Sequence, residues 1–215
     1  MDSRAAGLAV NAALRLAMLA LLAEVLRARP DDHRFAGKGI AVRFTAVALP
    51  ATLLVPVAWW RRRRRAVSRG LSPEPYPTWI DSLYVSLFAL DLAGNVFDLY
   101  DRHMHFDLIP HAHGGGAIAV TAAWLFGWRS SRAAAASIGG HALLEAQEYA
   151  SDVAFGLRNV RGWWDVVGDL GAGVVGAVVY AAAYERWVRA RVSARTEPPG
   201  FLPAQTPGFP LTGRN

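Results

Sequence analysis

Three stretches of the chain set acidic, imidazole and amide side chains at helical spacing inside otherwise apolar sequence. Asp91, Asn95 and Asp98 recur at i, i+4 and i+7; His141, Glu145, Glu148 and Asp152 at i, i+4, i+7 and i+11; Asp165 and Asp169 at i, i+4. Each series falls on one face of a helix. A fourth stretch, "LYDRHMHFDLIPHAHGGG" from Leu99 to Gly116, adds Asp101, His105, His111 and His113. Carboxylates and imidazoles can hold a divalent cation, and a cation that activates water beside a glutamate base is a hydrolytic arrangement. Asp98, Asp101, His105, His111, Glu145 and Asp165 are the expected metal ligands. Glu145 and Glu148 are the expected catalytic pair. Asp91, Asn95, His113, His141, Asp152 and Asp169 are expected to line the same pocket. The chain has no cysteine, which excludes disulfides and thiolate metal sites and leaves nitrogen and oxygen as the only ligands. There is no HExxH-type motif, and "GGG" lacks the lysine of a phosphate loop.

The elements that must position these groups are membrane-like. Apolar residues make up 53% of the 215, and only 19% are charged. Six segments approach the length of about 20 residues that crosses a hydrocarbon core: 6–27, 40–60, 78–100, 108–128, 133–150 and 164–187. The expected fold is an all-α polytopic transmembrane bundle of about six helices over residues 1–190. A disordered Pro- and Gly-rich cytoplasmic tail, 191–215, should follow. The segment 40–60 is the cleanest and ends on a Trp pair suited to an interface. The first carries Asn11, Arg15 and Glu24, and a signal peptide is its rival reading. Arg15 interrupts the apolar core that a signal would need; its expected role is to snorkel or to pair with an acid.

The five-arginine run Arg61–Arg65 sets the orientation. By the positive-inside rule it faces the cytoplasm, which puts both termini and the loop at Arg129 and Arg132 on that side. All four polar series then fall in the outer half of the membrane. The net charge of +6 comes almost wholly from clustered arginine. With no nucleic-acid module beside it, that clustering points to membrane topology and anionic headgroups and excludes nucleic acid as the expected partner. An Asp at the centre of a span costs about 2.5–3.5 kcal/mol on insertion scales, so these groups must face one another or water. Crowded carboxylates need protons, basic partners or a cation. Gly173 and Gly176 continue the Asp165–Asp169 stripe and would let a neighbouring helix approach closely. Taken singly, Asp101, Asp107, Asp152 and Asp165 also read as solvated loop or capping residues.

"YDRHMHF" resembles the Asp-basic-x-x-His-Phe signature of VanZ-like membrane proteins, through Asp101, Arg102, His105 and Phe106. "LLEAQEYASD" followed by "WWDVVGDLGAGVVG" resembles the Glu-x-x-Glu/Gln and Asp-x-x-x-Asn-x-x-Gly elements of the same proteins, most closely of the YjdF type. Glu145, Glu148, Asp152 and Asp165 are the matching positions, over roughly residues 81–185. Asp169 stands where the pattern has Asn, and the glycine spacing after it is shifted. The resemblance implies a bacterial inner-membrane protein and offers no catalytic mechanism. Three functions fit: binding of an envelope lipid headgroup or a partner in an outer-leaflet pocket, metal-dependent hydrolysis of a lipid-linked substrate, and proton-coupled transport.

Overall fold

The computed structural model describes residues 3–29 and 31–196, and the fold they form is all-helical. Seven helices succeed one another: α1 (Ser3–Arg27), α2 (Ile40–Ser68), α3 (Thr78–Val96), the single turn α4 (Leu99–Arg102), α5 (Leu108–Phe126), α6 (Ser130–Phe155) and α7 (Trp163–Thr196). Six are long, and they coincide with the six apolar segments of the sequence. Only three, over Ala5–Arg27, Ile40–Ser68 and Trp163–Ala190, are long and apolar enough to cross a membrane on length and composition. The expected count of about six is corrected to three on that measure. The other three are diluted by polar residues: Asp81, Asp91 and Asn95 on α3, two histidines and three glycines on α5, and Arg132, His141, Glu145 and Glu148 on α6. Many of these face the interior, and a hydropathy average counts them as though they met lipid.

Large apolar side chains cover the outside. Leu16, Val42, Val47, Val175, Val178 and Val179 are all exposed, a surface that water would not tolerate but acyl chains match. Trp163 and Trp164 stand exposed at one end. Trp79 packs with Tyr184 and Trp187 at the other, as interfacial aromatics do. The chain is a membrane protein.

Two half-bundles use different packing. In α1–α3 the core is built from large residues, Met18, Leu22, Phe44, Val85 and Leu92 among them. In α5–α7 it is built from Ala119, Ala134, Ala177 and Ala181, so backbones approach closely. A methyl group at Gly176 would overlap the Ala112 carbonyl, and one at Gly115 would overlap the Gly173 carbonyl. The glycine stripe of α7 therefore serves the close approach expected of it.

The segment that reads as the cleanest span is the least regular helix. Within α2, Phe44–Ala48 form a π turn in which the Leu49 N–H reaches the Phe44 carbonyl, and the helix is interrupted again at Thr52–Leu53. Pro50 and Pro56 lack the N–H that a regular ladder would use at those positions. The helix α7 runs on to Thr196, six residues into the expected tail; residues 197–215 lie outside those described.

Arg15 finds the acid that its position calls for. Its Nη2 donates to both Asp81 oxygens, at 2.9 and 2.7 Å. Asn11 Nδ2 and the Tyr76 hydroxyl also donate to Asp81, at 2.9 and 2.5 Å. The network ties α1 to α3 and, through the Thr52 carbonyl, to α2.

Candidate functional site

The start of α2, the end of α3, the turn α4, the start of α5, the end of α6 and the start of α7 meet at one end of the bundle. A cavity of ≈ 290 Å³ lies among them, at the small end of the range for ligand pockets. Arg61–Arg65 stand at the opposite end of the bundle, where Arg62 donates to the carbonyls of Trp124 and Leu125 near the end of α5.

The inner wall carries two imidazoles and three carboxylates. His111 Nδ1 lies 2.7 Å from His141 Nε2 and 3.4 Å from Glu145 Oε1. The other ring nitrogen of His111 lies 3.3 Å from Asp107 Oδ1 and 3.8 Å from Asp169 Oδ2. Glu145 is 4% exposed, and its Oε1 accepts no hydrogen bond. The groups are placed by helix phase: His141 and Glu145 share a face of α6, and His111 projects from the first turns of α5. The ring of His141 lies against Gly173, where a β-carbon would collide with it.

A second cluster sits across the cavity. Arg43, the last residue before the π turn, donates to Glu148 at 3.0 Å and to Asp91 at 3.3 Å. Asp91 also accepts from the Tyr100 hydroxyl at 2.8 Å and from Asn95 at 3.2 Å. One guanidinium thus joins α2 to both α3 and α6.

Basic side chains from the loops surround the mouth. Lys38 donates to Asp101 at 2.8 Å, and that hydrogen bond holds the Asp101 carboxyl below the usual aspartate range. In the same loop the Arg34 guanidinium draws Asp32 down to about 2. Arg158 donates to the Ala36 carbonyl, and Arg161 lies 3.8 Å from Asp107. Asp165 accepts from the Arg161 amide, closing the turn before α7. Asp152 accepts from the backbone amides of Asn159 and Val160 at 2.8–3.0 Å. That carboxylate shapes the rim loop, so Asp152→Ala should speed amide hydrogen exchange at Asn159 and Val160 by about 10- to 100-fold, the worth of a charge-assisted bond. Unchanged exchange at both amides would refute the assignment.

The expected ligand set is only partly brought together. His111 and Glu145 converge, and they are joined by His141 and Asp169, which were expected only to line the pocket, and by Asp107, which reads from sequence as a loop residue. Asp91 and Asn95 line the cavity as expected. Four expected metal ligands do not converge. Asp98 has a left-handed backbone (φ 59°) just beyond the end of α3 and pairs with Arg102. His105 is exposed and lies outside the cavity. Asp101 is taken by Lys38, and Asp165 caps a turn at the rim. Two of the expected lining residues do not line the cavity. Asp152 holds the rim loop, and His113 faces away, between Ser86 Oγ at 2.8 Å and the Tyr180 hydroxyl at 3.0 Å. Of the expected catalytic pair, Glu148 is engaged by Arg43, so the two glutamates stand in different surroundings. Arg43, Tyr100 and Arg161 also belong to the site, and none of them falls in the helical series of the sequence. The signal for Arg43 was available: between Ile40 and Trp60 it is the only charged residue.

No family model, curated protein or solved structure matches the chain.

Proposed function

We propose that this chain is a multi-pass protein of a bacterial inner membrane, of the YjdF/VanZ-like type, that takes the polar headgroup of an envelope lipid into the cavity. The carrying observation is the two-sided chemistry of the lining. Arg43, Lys38, Arg158 and Arg161 offer donors to a phosphate, and Asp91, Glu148 and Asp107 offer acceptors to an amine or hydroxyl. Below them Val47, Ile118 and Leu144 line the wall, and each is also exposed. A headgroup could sit among the charges while its acyl chains leave sideways between α2 and α6. The orientation proposed is the one with Arg61–Arg65 and both termini in the cytoplasm, which puts the cavity on the outer side.

The test is lipid retention. Protein purified in mild detergent should carry about one phosphate-containing lipid per chain by mass spectrometry, and Arg43→Gln should lower that at least fivefold. Val47→Trp, which leaves every charge in place but fills the side opening, should do the same. Equal lipid content in wild type and both variants would end the proposal.

A second reading is favoured by one observation, the convergence of His111, His141 and Glu145. With a cation there, the same cavity could hydrolyse a lipid-linked substrate, with a glutamate as base. Proton-coupled transport has no comparable support.

A further inference from the structure

We infer that His111 Nδ1, His141 Nε2 and Glu145 Oε1 are the inner ligands of a divalent transition-metal site, with Asp107 as its outer carboxylate. The site goes beyond the lipid reading and stands without it.

Three observations carry the inference. The three groups stand together, with their ligand atoms all within 4.8 Å of one another. Metal–ligand distances of about 2.0–2.2 Å place tetrahedral ligand atoms ~3.3 Å apart. The His111–Glu145 separation of 3.4 Å already matches. The imidazole pair at 2.7 Å needs to open by roughly half an ångström. Next, Glu145 Oε1 is buried and accepts no hydrogen bond. A carboxylate oxygen removed from water with no donor is costly, and a cation held between it and the two imidazoles removes that cost. Last, Asp107 stands at the far nitrogen of His111, 3.3 Å from Nε2. An imidazole that donates from Nε2 to a carboxylate presents its Nδ1 lone pair inward, which is the usual outer arrangement behind a metal-bound histidine.

The unpaired oxygen of Glu145 chooses between two groupings. Asp107, His111 and Asp169 could also surround an ion, but that ion would use Nε2 and leave Glu145 without a donor. The Nδ1 grouping satisfies Glu145 and gives Asp107 a role. Two imidazoles and one carboxylate favour a borderline ion of the zinc, cobalt or iron(II) kind over calcium or magnesium. Gly173 supports the site from behind, because only a residue without a side chain admits the His141 ring at that position.

Purified full-length protein, stripped with chelator and titrated with Zn²⁺ or Co²⁺ alone, tests this. One ion per chain is expected, with a cobalt absorption band of a four- or five-coordinate site and a rise in melting temperature on binding. Glu145→Gln and His141→Ala should each weaken binding at least tenfold, and Asp107→Asn by about 10–100-fold. A variant carrying both His105→Ala and His113→Ala should bind as wild type; that arm keeps the result interpretable if a ligand variant fails to fold. Absence of stoichiometric Zn²⁺ or Co²⁺ on wild type would overturn the site, as would wild-type affinity in both Glu145→Gln and His141→Ala. Equal loss in the His105/His113 variant would also overturn it. Lipid content measured in the same preparations separates the two ideas: metal lost with lipid retained removes only this site.

Discussion

Replacing Asp81 by alanine should cost about 3–5 kcal/mol, the typical penalty for removing one partner of a buried ion pair. Asp81 is fully buried and receives donors from Arg15, Asn11 and Tyr76. Without it the Arg15 guanidinium stays between α1 and α3, some three-quarters shielded, with only a carbonyl and an amide oxygen to face. The melting temperature in detergent should fall by roughly 10 °C or more. Asp81→Asn should fall in between, because it keeps an acceptor and loses the charge. The decisive variant is Asp81→Ala combined with Arg15→Met. If the penalty is the stranded charge, removing it should recover most of the stability, since apolar replacement of a whole buried pair is often neutral. A double variant no better than Asp81→Ala would show that packing or the Tyr76 contact carries the effect.

The second large effect concerns a methyl group. Gly176→Ala should destabilise the bundle by at least the 1–3 kcal/mol typical of overpacking, because the obstacle is the Ala112 carbonyl on the backbone of α5 and not the end of a flexible side chain. Gly171→Ala, on the same helix but facing open space, should leave the melting temperature within about 1 °C or raise it slightly, since alanine favours helix over glycine. Similar behaviour of the two variants would refute the close-approach account. The substitution at 176 should also reach the site. It drives α5, with His111, away from α7, with Asp169, and so disturbs the inner wall of the cavity.

Much of this arrangement could be read from residue types and spacing, and the failures have physical causes. Polar groups on four helices were expected in one half of the bundle, and the cavity gathers most of them there. Glu145 and His141 were legible because four residues apart on a helix means one face, and because burying such groups among apolar neighbours demands partners. His111 is expected as a ligand and His113 as a lining residue of the same pocket, yet residues two apart on a helix point in nearly opposite directions. One therefore reaches Glu145 and the other Tyr180. Asp98 satisfied the periodicity of α3 on paper, but the helix ends at Val96 and the left-handed turn carries the side chain off the stripe. Asp152 continued the α6 series in phase, and loop amides seven and eight residues further on claimed it. Periodicity gives the face of a residue; it does not give the end of the helix or the competing donors beyond it. Arg43 is hard to read from sequence for the opposite reason. It belongs to no series, and a single charge in an apolar run looks incidental until the partners across the cavity are in view.

The π turn after Arg43 gives that cation a particular vulnerability. A π turn holds one more residue than a regular helical turn. Delete Thr45 or Ala46 from it, and this turn closes into a regular α turn, with the break at Thr52–Leu53 left as it is. The chain on the N-terminal side of the deletion would then be wound round the axis by about 100° relative to the remainder of the helix. The hydrocarbon-facing character of the segment would hardly change, and its length would still suffice to traverse a bilayer. The guanidinium, however, would swing off its two carboxylates. The aim of the positive charge is thus fixed by counting residues along the chain. A one-codon loss at either position would take Arg43 out of the pocket, although neither residue lines it.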